Sequence, residues 1–174
     1  GRAIRFHEST VREMGRTATG VRGMTLDETG DDEVIGMICI KDPEKETVMV
    51  VSEQGYGKRS EIEDYRITNR GGKGVKTLNI TEKTGNLVAI KSVTDENDLV
   101  IINKSGITLR MKVADVRIMG RATQGVRLIN LEKRNDEIAS VCKVLSETES
   151  DSSNSENIDS ASEINEAEAS ETTE

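Results

Sequence analysis

Aromatic and imidazole side chains are almost absent from this sequence. Its 174 residues include no Trp, one Phe, two Tyr and a single His, His7. Single-stranded nucleic acids are bound largely by stacking of bases on aromatic rings, so this mode of binding is not expected. One His with no paired nucleophile also gives no catalytic dyad or triad.

Cysteines and long apolar runs are equally scarce. Cys39 and Cys142 are too few for a disulfide framework or a four-ligand zinc site. Both lie in short apolar runs, so we expect buried free thiols and a reducing, cytoplasmic location. No apolar run approaches the roughly 18 residues of a membrane helix, and the first residues do not resemble a secretory signal. We therefore expect no membrane partner.

The net charge of −8 is unevenly distributed along the chain. Residues 145–174 contain ten acids and no base, which leaves 22 acids against all 24 bases in residues 1–144. The only large apolar residues of the C-terminal segment are Leu145, Ile158 and Ile164. Such a segment cannot bury enough apolar surface to offset the entropy of ordering it. We predict a disordered acidic tail, which either only solubilises the protein or competes with a polyanion for the body.

Residues 1–144 contain three copies of one unit. With Gly1, Gly55 and Gly106 in register, further positions are identical in all three copies. These positions are Arg5/Arg59/Arg110, Arg12/Arg66/Arg117, Arg16/Arg70/Arg121, Gly20/Gly74/Gly125 and Val21/Val75/Val126. A base follows the valine each time, as Arg22, Lys76 and Arg127. So many coincidences indicate an internal repeat.

The repeat predicts an all-β fold. Each unit has about four short runs rich in Val, Ile and Thr, separated by turn residues such as 83–86, and no window shows a helical period. Four strands in about 50 residues are typical of one blade of a propeller-like array, whose apolar faces are buried by neighbouring blades. We place unit 1 at about 1–46, unit 2 at 47–97 and unit 3 at 98–144. Unit 1 begins without its leading Val-rich strand, so we expect further sequence upstream of Gly1.

The repeated bases suggest what the units bind. Arg5 and its equivalents alternate with apolar residues and are expected to point away from the core. The loops 16–20, 70–74 and 121–125 each begin with a base and end at a glycine that opens a strand. Equivalent loops of a radial array lie on one rim. Evenly spaced positive charge on a curved rim matches the phosphates of duplex DNA bent along it.

Candidate contact residues follow from this interpretation. Twelve bases are predicted to bind DNA: Arg5, Arg16, Arg22, Lys58, Arg59, Arg70, Lys73, Lys76, Arg110, Lys112, Arg121 and Arg127. For Arg12, Arg66 and Arg117, a phosphate contact and a structural ion pair are both open. Gly20, Gly74 and Gly125 are predicted to be structural. No catalytic residue and no metal-binding cluster is predicted for this segment.

Four segments carry a resemblance to a known family. They are Gln54–Arg59 with Arg70-Gly71-Gly72-Lys73-Gly74, Val11–Arg16, Thr19–Gly23 and Gly120–Val126. Together they closely resemble the C-terminal domain of DNA gyrase A over about residues 1–144, and an acidic tail also suits that family. The family's box, Gln-(Arg/Lys)-Arg-Gly-Gly-Lys-Gly, lies in its first blade. Here Thr68-Asn69 replace the first two box residues, and the order of the matching segments places 70–74 in the fifth blade. We therefore interpret 70–74 as a box-like loop and expect the true box upstream of Gly1.

The resemblance implies a six-bladed β-pinwheel of which this chain contains about three blades. It implies wrapping of double-stranded DNA in support of ATP-dependent negative supercoiling. The implied partners are gyrase B and a second copy of gyrase A. ATP and Mg²⁺ are implied only for the whole enzyme, through other domains and gyrase B, and the DNA-cleaving Tyr lies in the N-terminal region. Two alternatives stay open: the corresponding domain of topoisomerase IV, and a protein-interaction propeller.

Overall fold

The computed structural model describes residues 1–28, 30–131 and 136–146. These residues form strands and short 3₁₀ helices, with no α-helix among them. The strands are β1 (Arg2–Ala3), β2 (Thr47–Ser52), β3 (Tyr56–Glu61), β4 (Val75–Lys76), β5 (Leu87–Val93), β6 (Asn97–Asn103), β7 (Thr108–Lys112), β8 (Val126–Arg127) and β9 (Ile138–Leu145). The 3₁₀ helices are η1 (Glu8–Thr10), η2 (Ile62–Asp64) and η3 (Val113–Asp115). The all-β prediction is confirmed.

The acidic tail predicted at 145–174 lies outside the described residues, apart from its first two positions. Leu145 ends β9, and the backbone N–H of Ser146 donates to the carbonyl of Glu96 at 3.0 Å. Strand β9 therefore ends one residue past the predicted end of unit 3, and Ser146 adds one backbone hydrogen bond after it.

Units 2 and 3 repeat one sheet pattern in detail. In unit 2, β2 pairs antiparallel with β3 on one side and with β5 on the other. In unit 3, β6 pairs in the same way with β7 and β9. Both central strands carry a register shift at the same repeat position, at Val51/Ser52 and at Ile102/Asn103. The sequence repeat thus extends to a local irregularity of the ladder.

Units 2 and 3 each contribute one short strand, called here the exchanged strand, to the sheet of the preceding unit. The two residues of β8, in unit 3, pair with the start of β3, so that Val126 lies opposite Gly57. The two residues of β4, in unit 2, pair in the same way with β1 of unit 1, and Val75 lies opposite Ala3. The sheets of units 1 and 2 therefore each include a strand of the following unit. We call the contact of units 1 and 2 the first junction and that of units 2 and 3 the second junction.

Both faces of strand β2 are buried, because unit 1 packs against one face and unit 3 packs against the other. Val48 and Val50 pack into a cluster shared with unit 1, which includes Ile62 and Leu78. The alternate side chains, Met49 among them, pack into a cluster shared with unit 3. A strand covered on both faces is expected to be a continuous apolar run, as Val48–Val51 is.

Unit 1 departs from the predicted strand pattern. The run Val34–Ile38 corresponds to β5 and β9 but forms no strand, although Ile38 packs against the core. In units 2 and 3 this run pairs with the leading strand of its own unit, and unit 1 has no leading strand in this sequence. The expectation of buried thiols is also wrong. Cys39 and Cys142 are both exposed.

Two of the repeated glycines allow the exchanged strands to approach the preceding unit. Gly74 and Gly125 have φ values of 68° and 81°. A Cβ atom would lie 2.3 Å from the carbonyl oxygen of Ala3 at Gly74, and 2.5 Å from that of Gly57 at Gly125. Only glycine fits this backbone conformation and this distance. Gly20 has a φ of 87°, but no atom lies within 4 Å of its Cβ position.

The glycines of the repeat should therefore differ in their sensitivity to alanine. We expect Gly20→Ala, which introduces only the left-handed strain, to lower the free energy of unfolding by about 1 kcal/mol. Gly125→Ala adds a clash with the Gly57 carbonyl, and we expect a loss of about 3 kcal/mol. Urea denaturation of the two variants measures both values. Equal losses would show that the second junction relaxes around the new methyl group.

Candidate nucleic-acid interface

The first arginine series joins neighbouring units through backbone carbonyls. In the first junction, Arg5 Nη1 donates to the carbonyls of Ile62 at 3.0 Å and Tyr65 at 3.2 Å, at the ends of η2. In the second junction, Arg59 Nη1 donates to the equivalent carbonyls of Val113 and Val116, at 3.1 and 3.5 Å. At each junction, one guanidinium thus donates hydrogen bonds to two backbone carbonyls of the next unit.

Arg59 makes further contacts inside the second junction. Its Nε donates to Thr47 Oγ1 at 3.1 Å, and its Nη1 lies 2.7 Å from a carboxylate oxygen of Asp95. Only 4% of Arg59 is exposed. The third member of the series, Arg110, is exposed and forms an ion pair of 2.8 Å with Asp98. A hydrogen bond from Ser146 and the ion pair with Arg110 lower the pKa of that aspartate.

The loop arginines form a second set of contacts, directed toward the preceding unit. Arg70 Nε donates to the carbonyl of Thr10 at 3.1 Å, and its Nη1 donates to that of Arg22 at 3.2 Å. Arg121 makes the equivalent bonds to the carbonyls of Asp64 and Lys76, at 2.9 and 2.7 Å. The repeated geometry shows that these loops are fixed to the body by their first residue.

Lys58 is also inside the second junction. Its ammonium donates to the carbonyls of Gly120, at 2.8 Å, and Arg121, and to the hydroxyl of Thr123 at 3.3 Å. The side chain has no exposed surface, and burial lowers the pKa of Lys58 to about 8. Ile4 and Leu109 hold this position in the other units.

These positions correct the prediction of outward-facing charge. Lys58 and Arg59 are buried, because neighbouring units cover both faces of the sheet that contains them. Arg5, Arg70 and Arg121 are half-buried, and their guanidinium groups bind backbone carbonyls between units. Their contribution to the structure is therefore an inter-unit hydrogen bond.

Eight of the fifteen candidate bases are exposed, and their side chains form no hydrogen bond or ion pair with the residues that the structure describes. They are Arg12, Arg16, Arg22, Arg66, Lys73, Lys76, Lys112 and Arg117. Arg127 is exposed as well, but it donates to the hydroxyl of Tyr56 at 3.1 Å and lies over the tyrosine ring, 5.6 Å from its centroid. That these bases contact DNA stays a prediction.

Two of the exposed bases, Arg22 and Lys76, lie next to the inter-unit loops. Arg70 binds the carbonyl of Arg22, and the backbone N–H of Gly71 donates to the carbonyl of Gly23 at 2.7 Å. At the second junction Arg121 binds the carbonyl of Lys76. The backbone of Arg22 and that of Lys76 are thus held beside the loop of the following unit, and both side chains are exposed.

A known family shares this arrangement of repeated units. The family model described as "DNA gyrase C-terminal domain, beta-propeller" matches residues 1–41, 46–94 and 97–142. The chain belongs to the DNA gyrase C-terminal domain family. The resemblance seen in the repeated Gly and Arg residues is thereby confirmed, and so is the propeller-like architecture. The three matched segments lie close to units 1, 2 and 3.

Relatives of the gyrase family are close in sequence. The chain is 49% identical over 153 residues to DNA gyrase A of Staphylococcus aureus strain NCTC 8325, which covers 88% of this chain and 17% of the relative. It is 55% identical over 128 residues to the same protein of strain MRSA252, covering 74% of this chain and 14% of the relative. The chain therefore spans about a sixth of the length of these relatives.

Two solved structures share the fold. The C-terminal domain of DNA topoisomerase IV aligns with a TM-score of 0.76 at 25% identity, and the DNA gyrase A C-terminal domain aligns with a TM-score of 0.69 at 28% identity. Each alignment covers 83% of this chain, and 44% and 48% of those chains respectively. The chain spans about half of each solved domain of this fold.

Within this gyrase-family domain, we expect buried Arg59 to stabilise the fold rather than to supply surface charge. We expect Arg59→Met to lower the free energy of unfolding by about 3 kcal/mol, because two carbonyls lose their donor at 1–3 kcal/mol each. Arg66→Met, at an exposed position, should change it by less than about 0.5 kcal/mol. Urea denaturation of both variants tests this contrast. Similar effects would mean that the Arg59 carbonyl contacts are replaced by water.

The buried lysine should give the domain a distinctive pH dependence. Between pH 8 and about 10.4, Lys58 of the unfolded chain binds a proton that the folded protein has released. The free energy of unfolding should therefore rise with pH across this window. Lys58→Leu, which copies Leu109, should lack this rise. Thermal melts of both proteins from pH 7 to 10 test it, and parallel pH profiles would contradict the assignment.

Proposed function

We propose that this chain binds and wraps duplex DNA as part of a DNA gyrase A protein, and that it supports ATP-dependent negative supercoiling through phosphate contacts on the outer edge of its units. The observation that supports this most directly is the set of eight exposed bases whose side chains bind none of the described residues, two of which, Arg22 and Lys76, lie beside the inter-unit loops. Repeated cations at a fixed spacing suit a ligand with repeated phosphates.

The chemistry of the surface favours a duplex over a single strand. Tyr56 and Tyr65 are 8% and 4% exposed, and Phe6 is half-buried, so no aromatic platform is offered for bases by the residues that the structure describes. No helix of the described residues can enter a major groove. Contacts to the sugar-phosphate backbone remain, and they tolerate any sequence.

Gyrase is preferred over topoisomerase IV on sequence. The fold likeness does not separate them, since both solved domains align with this chain. The identity of 49% to a DNA gyrase A supports gyrase. A protein-interaction propeller, in which the exposed bases meet an acidic partner, is the second candidate, and the same surface favours it.

The whole enzyme supplies the rest of the proposed activity. Gyrase B and a second copy of gyrase A are the proposed partners, and ATP and Mg²⁺ act through those other parts. The described residues contain no helix of the length and apolarity needed to cross a membrane. They also contain no group of three metal-ligating side chains. A cytoplasmic location and the absence of a cofactor in this segment are part of the proposal.

The salt dependence of DNA binding tests the phosphate contacts. With about 0.9 counterions released per contact, eight contacts give a log–log slope of roughly −7. We expect Arg22→Gln with Lys76→Gln to make this slope shallower by about 2. The control is Lys104→Gln, because Lys104 already pairs with Glu137. Fluorescence anisotropy of a labelled duplex measures the salt slope of the unchanged protein, the double variant and the Lys104→Gln control. Binding that is insensitive to salt would reject the proposal.

Topology capture separates gyrase from topoisomerase IV. The full-length parent protein is incubated with relaxed closed-circular DNA, and a relaxing topoisomerase then removes unconstrained supercoils. Wrapping predicts trapped supercoils of one sign on a gel. DNA binding without trapped supercoils would favour the topoisomerase IV alternative, and capture of an acidic protein without DNA binding would favour the interaction propeller.

A further inference from the structure

A cavity of about 270 Å³ opens at the first junction. Unit 1 lines it with Ala3, Ile4 and Arg5, and unit 2 lines it with residues of the segments 66–69 and 72–75. Its volume lies just below the roughly 300–1,000 Å³ of pockets that enclose organic ligands. The cavity is therefore suited to a small group rather than to a drug-sized molecule.

Three of the residues that line this cavity are cationic. Arg66 and Lys73 line it, and both are exposed without a hydrogen bond or ion pair to the part of the chain that the structure describes. Arg5 also lines it, with Nη1 engaged by two carbonyls. None of the described lining residues is acidic. Two available cations without a counter-charge make the cavity a site for an anion.

The equivalent space of the second junction is built differently. Position 4 of the repeat is Ile4 at the first junction, where its Cδ1 would lie 3.5 Å from a Cβ on Gly72. At the second junction it is Lys58, whose ammonium is bound to the carbonyls of Gly120 and Arg121. The loop there has Gln124 where the first junction has Lys73. At the second junction a buried ammonium thus binds the loop whose equivalent lines the cavity of the first junction.

We propose that the cavity of the first junction binds one backbone phosphate of duplex DNA, held jointly by Arg66 and Lys73. This inference rests on the proposed DNA-binding function. It adds that the two junctions bind phosphate differently. The first junction holds a phosphate in a cleft between units. The second junction offers Arg117 as a surface contact only.

A double-mutant cycle tests the shared phosphate. In the full 174-residue chain, Arg66→Gln and Lys73→Gln are measured singly and together by anisotropy with a duplex of about 30 bp. Since both cations hold one phosphate, the combined loss of affinity should be smaller than the product of the single losses. The salt slope of the pair should become shallower by only about 1.

The matched control combines residues from different junctions. Arg66→Gln with Arg117→Gln removes two separate contacts, so the losses of affinity should multiply and the slope should become shallower by about 2. The shared-phosphate proposal is overturned if the Arg66/Lys73 pair behaves like this control. A melt of each variant confirms that folding is unchanged, and Lys73→Gln introduces the residue that the second junction already has.

Amide shifts distinguish failure of the site from failure of the function. We expect the ¹H–¹⁵N signals of Gly72 and Gly74 to move when the duplex is added. Duplex binding without these shifts overturns the cavity proposal and leaves the proposed function intact. If inorganic phosphate moves both signals while the duplex does not bind, the DNA-binding function fails and the cavity binds a free anion instead.

Discussion

The array depends on guanidinium groups that bind backbone carbonyls across unit boundaries. Arg5 and Arg59 reach forward to the 3₁₀ helix of the next unit, and Arg70 and Arg121 reach back to the preceding one. A carbonyl left without a donor in such an interface costs about 1–3 kcal/mol. Because the planar guanidinium has five donors in a fixed arrangement, it also sets the relative orientation of the units.

These contacts divide the basic residues into two groups with different tasks. The arginines between units donate hydrogen bonds to backbone carbonyls of the protein, while the side chains of Arg22 and Lys76 beside them are exposed. The exposed bases are held by backbone that the first group immobilises. Arg22 is an example, since its carbonyl is bound by Arg70 and its side chain remains available. The DNA binding proposed for this chain therefore depends on residues that need not touch the DNA.

Much of the fold follows from the sequence, because three aligned copies of one unit show which positions stay the same. The all-β, propeller-like architecture and the structural role of Gly74 and Gly125 were predictable from residues in register. The direction of Arg59 was not. Alternation along a strand predicts an outward side chain only when one face of the sheet meets solvent, and here both faces meet another unit. Lys58 was misplaced for the same reason.

The bonds of the loop arginines could not be predicted from residue types, because any residue supplies a carbonyl. One signal was available. The base after each Gly-Val pair varies between Arg and Lys, whereas the loop series is Arg in every copy. A position that needs the fork of a guanidinium does not accept an ammonium. Arg12, Arg66 and Arg117 show the limit of this signal, since they are invariant in the chain and still exposed.

The exchanged strand has a consequence for how such a domain can vary. The loop 70–74 is fixed at its first residue by the carbonyls of Thr10 and Arg22, and at its last by the close approach of Gly74 to Ala3. An insertion or deletion between these anchors would alter the angle between units. A substitution of Lys73, whose side chain is exposed and binds none of the described residues, changes the charge of the loop and leaves both anchors in place. The curvature of the array and the charge on its loops can therefore evolve independently.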